Sequence, residues 1–297
     1  MRIALAIEIF LLAICPFSVA KNNLEQAKHE FTNLRGDLAG PKRTSDILFL
    51  LDTSGSLSSS DFNVEKKFVT NFLNMITVSI EAARVEVIPF GDKASRYIDG
   101  VSSPSSVKHK CHLNDRLKNM SQSINGWLTN TKDAFKLAYD VCLGALSAYK
   151  RPYSFDMRTV VILITDGYAT VPFNDPNPIS DARRLYESGK VEVFAIGVGY
   201  VGVSYIRSLV KDPAKQAFHL QNFNQLQELS LVLEGDPSPS GSSYQPAHSQ
   251  NCYYTCDLKA TCVCDALFGT HRCWCLEGYV GSGHTGKCRK IEDKKTK

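Results

Sequence analysis

The sequence predicts an α/β fold: a doubly wound, mostly parallel sheet flanked by helices, followed by a small disulfide-rich module. Continuous apolar runs at Ile47 to Leu51 and Val160 to Thr165 read as strands buried on both faces. Segments with helical spacing lie between such runs, and that alternation argues for parallel strands joined by crossover helices. Seven cysteines fall between Cys252 and Cys288, a density that marks a module held by disulfides in an oxidising compartment.

The elements follow in order. Residues 1–20 read as a secretory signal: Arg2 gives the positive start, Ile3 to Ile14 a short apolar stretch, and Ser18-Val19-Ala20 the small residues of a cleavage site. Residues 21–45 are polar without a sustained period and are expected to form a leader or loosely helical arm. The main domain spans residues 46–235. In it Asp61 can cap a helix carrying Phe62, Val69, Phe72 and Ile76 at helical spacing. Val85 to Phe90 gives a second strand and Tyr97-Ile98 a short third. Ala134 to Tyr149 is expected as a helix, Val191 to Gly197 as a strand, and Leu226 to Leu233 as the closing helix. Residues 236–250 form a Pro/Ser/Gly linker, residues 251–289 the cysteine-rich module, and residues 290–297 a basic tail.

Composition narrows the function. Of the 297 residues, 43% are hydrophobic and 22% charged, as in an ordinary folded chain. The net charge of +4 is small and the basic residues are scattered, which gives no footprint for nucleic acid. No segment after the signal is apolar over the roughly 18 residues that a membrane span requires. The chain is therefore expected to be secreted and extracellular, with no transmembrane segment.

The chemistry gathers at strand ends, where open parallel sheets hold their ligands. The first strand ends in Asp52-Thr53-Ser54-Gly55-Ser56 and a later one in Thr165-Asp166-Gly167, while Thr129 and Thr131 precede the helix between them. Two carboxylates and several hydroxyls would thus converge. Hard oxygen donors without imidazole or thiolate suit Mg²⁺, Mn²⁺ or Ca²⁺ rather than zinc. The same residue types also favour turns and helix caps, which is the plainer reading.

LFLLDTSGS resembles the Asp-x-Ser-x-Ser strand end of von Willebrand factor A domains, VVILITDGYA their second acidic loop, and LTNTKDAF their threonine loop. The resemblance implies a metal-ion-dependent adhesion site. Ser54, Ser56 and Thr129 would bind the ion directly, Asp52 and Asp166 would stand near it, and a partner carboxylate would complete the coordination. One departure is visible: Trp127-Leu128 stands where the family carries Gly-Gly. The spacing from Cys252 to Cys288, with CWCLEGYVGSG, resembles an EGF-like module. That resemblance implies pairs Cys252–Cys262, Cys256–Cys273 and Cys275–Cys288, and it leaves Cys264 over.

Other motifs carry less. Gly197-Val198-Gly199-Tyr200-Val201-Gly202 matches a dinucleotide pattern, but it follows a late strand and lacks the acidic residue about twenty positions on, so it reads as a tight turn. Arg35-Gly36-Asp37 in the arm is a possible integrin contact if exposed. Asn119-Met120-Ser121 is a glycosylation sequon. His109, Cys111 and His112 fit no standard zinc spacing, and Cys111–Cys142 is the natural disulfide. No nucleophile–base–orienter set is recognisable, so an enzyme is not expected. Two functions remain: capture of an acidic extracellular protein through a cation, or a structural matrix component in which any ion only stabilises loops. Matrix proteins or integrins are the expected partners.

Overall fold

The computed structural model describes residues 15–39, 44–74, 76, 78, 82–103, 110–122, 124–146, 157–234, 260–265, 270–275, 278–282 and 286–290. The signal's first fourteen residues, the linker, the basic tail beyond Lys290, Cys252 and Cys256 lie outside them.

Six strands form one sheet: β1 (Ser45–Asp52), β2 (Ala83–Phe90), β3 (Ile98–Asp99), β4 (Arg158–Thr165), β5 (Val191–Val198) and β6 (Ala217–Leu220). Their spatial order is β3-β2-β1-β4-β5-β6. All neighbours are parallel except the β2–β3 edge. The chain builds outward from β1 on one side, then returns to lay β4 against its other side. The β1–β4 boundary is thus a topological switch point, where a crevice opens beyond the strand ends. Every residue of β1 and β2 is buried, which explains their unbroken apolar runs.

Alternate residues of each strand feed two cores. Ile47, Phe49, Leu51, Ile162 and Ile196 point to one face, which is covered by α1 (Cys15–Leu38), α2 (Ser59–Phe72), α3 (Lys110–Asn119) and, after β6, α8 (Phe223–Glu234). Leu48, Leu50, Leu163 and Ala195 point to the other. That face is covered by α4 (Thr131–Cys142), α5 (Ile179–Glu187) and α6 (Val203–Ser208); the short α7 (Pro213–Gln216) leads into β6. Beyond the main domain, β7 (Ala260–Asp265) pairs antiparallel with β8 (Thr270–Cys275), and β9 (Tyr279–Val280) with β10 (Arg289–Lys290).

Several expectations need correction. The arm is a helix. Leu24, Ala27, Phe31, Leu34 and Leu38 recur at spacings of three and four and are buried in the first core. Phe31 packs against Phe68, Phe72, Phe194 and Phe218, with ring centroids 5.4 to 6.2 Å away. Because α1 begins at Cys15, the expected cleavage after Ala20 falls inside it, yet all these core residues lie after that point. Arg35-Gly36-Asp37 is therefore no exposed loop. Arg35 is 8% exposed and donates to the Leu233 carbonyl, while Asp37 pairs with Arg158 at 2.9 Å. A tripeptide so held does not present its two charges together, and the integrin-contact expectation falls.

The Cys111–Cys142 pair is not decided, because the Cys111 side chain lies outside the described residues. Cys142 is buried in the second core, on the face of the sheet covered by α4. Cys111 belongs to α3, whose Leu113 and Leu117 enter the first core. Smaller differences follow local chemistry. Ser58, not Asp61, is the α2 N-cap, and Asp61 closes a capping box from three residues on. The helix expected to reach Tyr149 ends at Cys142, and the short third strand runs Ile98–Asp99. Cys275–Cys288 forms as expected, with its Cα atoms 5.5 Å apart.

Two buried charges stand out. Asp46 and Arg84 form a two-pronged pair across β1 and β2, with Nε 2.7 Å from Oδ1. Glu65, on the inward side of α2, is fully buried, and neither carboxylate oxygen has a hydrogen-bond partner. Burial, with Asp52, Asp166 and Asp61 adding repulsion, pushes its pKa well up.

Three outcomes follow. Phe31→Ala should destabilise the chain by about 3–5 kcal/mol in chemical denaturation, because it empties the centre of an aromatic cluster. Arg84→Met should cost roughly 3–5 kcal/mol by leaving Asp46 buried alone. Glu65→Met should stabilise by about 1–3 kcal/mol at neutral pH, measured in chelator. The raised pKa means that the folded state keeps a proton the unfolded state releases. Wild-type stability should therefore fall as pH rises above the ordinary carboxylate range, and the gain from Glu65→Met should grow over the same interval.

Candidate metal centre

The site is built by register. Leu51 of β1 lies opposite Ile164 of β4, so the next residues, Asp52 and Thr165, end side by side at the switch point. The Thr165 hydroxyl donates to Asp52 Oδ2 at 2.6 Å, and the Ser54 amide donates to Oδ1 at 2.9 Å. The turn after β1 then brings the Ser54 and Ser56 hydroxyls to 3.0 Å from one another, and Ser56 donates to Asp166 Oδ1 at 2.7 Å. Asp52, Ser54, Ser56 and Asp166, separated by up to 114 positions in the chain, therefore form one hydrogen-bonded row.

Its electrostatics are unfavourable without a cation. Burial pushes the Asp52 carboxyl up to about 6, against the lowering effect of its bonds to Ser54 and Thr165, with Asp166 adding a little repulsion. Burial raises Asp166 as well, partly offset by Ser56. Among the described residues no group of three or more His, Cys, Asp or Glu side chains gathers to hold a metal, so the donors here are carboxylates and hydroxyls. That set fits a hard divalent cation, whose charge would reverse the penalty on both acids.

Thr129 is reached differently. It is 6% exposed and its loop is fastened on both sides: the Gly55 amide donates to the Trp127 carbonyl at 2.8 Å, and the Thr170 amide to the Thr129 carbonyl at 2.8 Å. The threonine loop thus bridges the Asp52 turn and the loop after Asp166. Trp127-Leu128, in place of Gly-Gly, is accommodated because the Trp127 ring lies over Gly55, where an added Cβ would come within 2.3 Å of it. The residue that organises this loop escaped the sequence reading. Asp92 accepts from the amides of Trp127 at 2.8 Å and Leu128 at 2.7 Å, and Gly126, at φ +97°, lies against its carboxylate. An acidic residue just after β2 was the only available signal, and nothing in the sequence tied it to a loop over thirty positions away.

The dinucleotide-like segment is a turn, as expected. Gly199 takes φ +74° and its amide donates to the Leu220 carbonyl at 2.8 Å. Asn119 is exposed at the end of α3. No described helix is long and apolar enough to cross a membrane.

Comparison with known proteins agrees with this geometry. The chain is 28% identical over 252 residues to the mouse sushi, von Willebrand factor type A, EGF and pentraxin domain-containing protein 1, covering 82% of this chain but 7% of that protein. It is 23% identical to mouse matrilin-2, over 84% of this chain and 24% of the relative. The chain thus spans a small part of these relatives. Among solved structures, proximal thread matrix protein 1 from the mussel byssus shares the fold with a TM-score of 0.53 at 20% identity, covering 65% of this chain and 48% of that one. A second form of it is described with a zinc-occupied MIDAS motif. The model of the von Willebrand factor type A domain matches residues 46–231, and the chain belongs to that family.

Proposed function

We propose that this is a secreted adhesion or matrix protein whose A domain captures an acidic extracellular protein through a divalent cation. The observation that carries the reading is the row Asp52–Ser54–Ser56–Asp166, hard oxygens only, at the switch point of the sheet. Ser54, Ser56 and Thr129 would hold the ion, with Asp52 and Asp166 beside it, and Mg²⁺, Mn²⁺ or Ca²⁺ suits such donors. A bound ion supplies an electrophilic point that a partner's carboxylate can complete. The chain's own residues do the rest: Thr165 orients Asp52, Ser56 orients Asp166, and Asp92 fixes the threonine loop.

Matrix relatives support an extracellular setting, and a matrilin, a collagen VI chain and a byssal matrix protein are among them. The signal-like start supports export. Two short hairpins and Cys275–Cys288 support an EGF-like module after the A domain, and the exposed Asn119 supports glycosylation. The Cys252–Cys262 and Cys256–Cys273 pairs rest on the sequence resemblance alone.

Calorimetry on metal-free chain lacking residues 1–20 tests the reading. Saturable one-site binding of Mg²⁺ or Mn²⁺ is expected, and Asp52→Ala and Asp166→Ala should each reduce it below detection while circular dichroism stays unchanged. Binding that survives both substitutions, or assembly that ignores metal and collapses only under reducing agent, would favour the structural-matrix reading.

A further inference from the structure

Seven of the ten large apolar side chains exposed among the described residues belong to the segments joined to the strand ends at the edge of the sheet that carries the proposed cation site: Ile124, Trp127, Leu128, Tyr168, Phe173, Tyr200 and Val203. They come from the loop before α4, the loop after β4, and the turn after β5 together with the first residue of α6. Scattered exposed apolar residues are ordinary, but a group of them at one edge marks an interaction surface.

The aromatic members are held in place. Trp127 is 73% exposed, yet its ring rests on Gly55, its amide donates to Asp92 and its carbonyl accepts from Gly55. Tyr168 is half-exposed and its ring centroid lies 5.0 Å from that of Tyr205, with its hydroxyl so close over Gly202 that a Cβ there would fall 2.0 Å from it. Tyr200 is fully exposed on the turn that Gly199 fastens to Leu220. Rigid aromatic side chains lose little entropy on contact, which is why Trp and Tyr dominate binding hot spots. A cavity of about 280 Å³, lined by Ser54, Leu57, Ser58, Gln122 and Trp127 among others, opens beside the metal loop.

Three charged side chains at this edge are already engaged. Asp92 is taken up by loop amides, Lys132 by Asp175, and Asp61 by the α2 cap. Exposed large apolar side chains thus stand beside a cavity of mixed lining, in which Leu57 and Trp127 accompany Ser54, Ser58, Ser59 and Gln122. We infer that the partner is a protein loop presenting one carboxylate flanked by large apolar or aromatic side chains, one entering the cavity beside Trp127 and the other lying toward Tyr168 and Tyr200. This inference rests on the cation-dependent reading and deepens it. The single acidic side chain answers the ion, and its neighbours answer the aromatic rim.

The test uses disulfide-constrained peptides displayed on phage, selected on Mn²⁺-loaded chain and eluted with chelator. The eluted pool should carry Asp or Glu beside Phe, Trp or Leu. A selected peptide should then bind Trp127→Ala about thirtyfold more weakly by fluorescence anisotropy, the loss typical of a hot-spot aromatic. Tyr200→Ser should weaken it at least several-fold and leave Mn²⁺ calorimetry unchanged. It decides the matter if Trp127→Ala disturbs the metal loop. An acidic pool with polar flanks, or peptide affinity unchanged within twofold in Tyr200→Ser and Trp127→Ala, overturns the inference and leaves the cation reading standing. A pool without carboxylates, or a chain that binds no Mn²⁺, overturns both.

Discussion

Asp52 sits fully buried at the end of the central strand, and most of the upper edge of the sheet is arranged around its charge. An ionised carboxylate in such a place costs several kcal/mol unless hydrogen bonds or an opposite charge answer it. Thr165 and Ser54 answer part of it, but burial still outweighs them and holds the carboxyl near 6. Half-buried Asp166 and fully buried Glu65 add further acid in the same neighbourhood. A fold that spends this much of its interior on negative charge has a concentrated use for a cation at that point.

The sheet order makes the concentration possible. With β1 at the centre and β4 laid back beside it, the loops after both strands diverge over opposite faces and leave a crevice between them. Parallel register then sets Asp52 against Thr165 without any side chain having to reach. Asp92 supplies the third support by closing the threonine loop over the crevice through backbone amides. Stability and binding share these elements, because the loops that shape the site are anchored in two well-packed cores.

What was legible in the sequence follows the same physics. β1, β4 and β5 were readable because strands buried on both faces leave unbroken apolar runs, and the site residues were readable because they end those runs. The packing of α1 is not legible: its apolar residues lie on one narrow stripe among polar ones, so the segment reads as a leader or loosely helical arm rather than as part of the core. Arg35-Gly36-Asp37 was misjudged for the same reason. β6 and α5 were missed because one is four residues long and the other is mostly polar on its exposed side. Asp92 was invisible since it acts on amides, which carry no side-chain signature.

The measurement closest to the central claim is anomalous diffraction from crystals of the chain grown with Mn²⁺. The account predicts one strong manganese peak at the switch point, within bonding distance of the Ser54 and Ser56 hydroxyls and flanked by Asp52 and Asp166. A structure at full Mn²⁺ occupancy elsewhere, or one in which the direct Ser56–Asp166 hydrogen bond persists with no metal beside it, would contradict it.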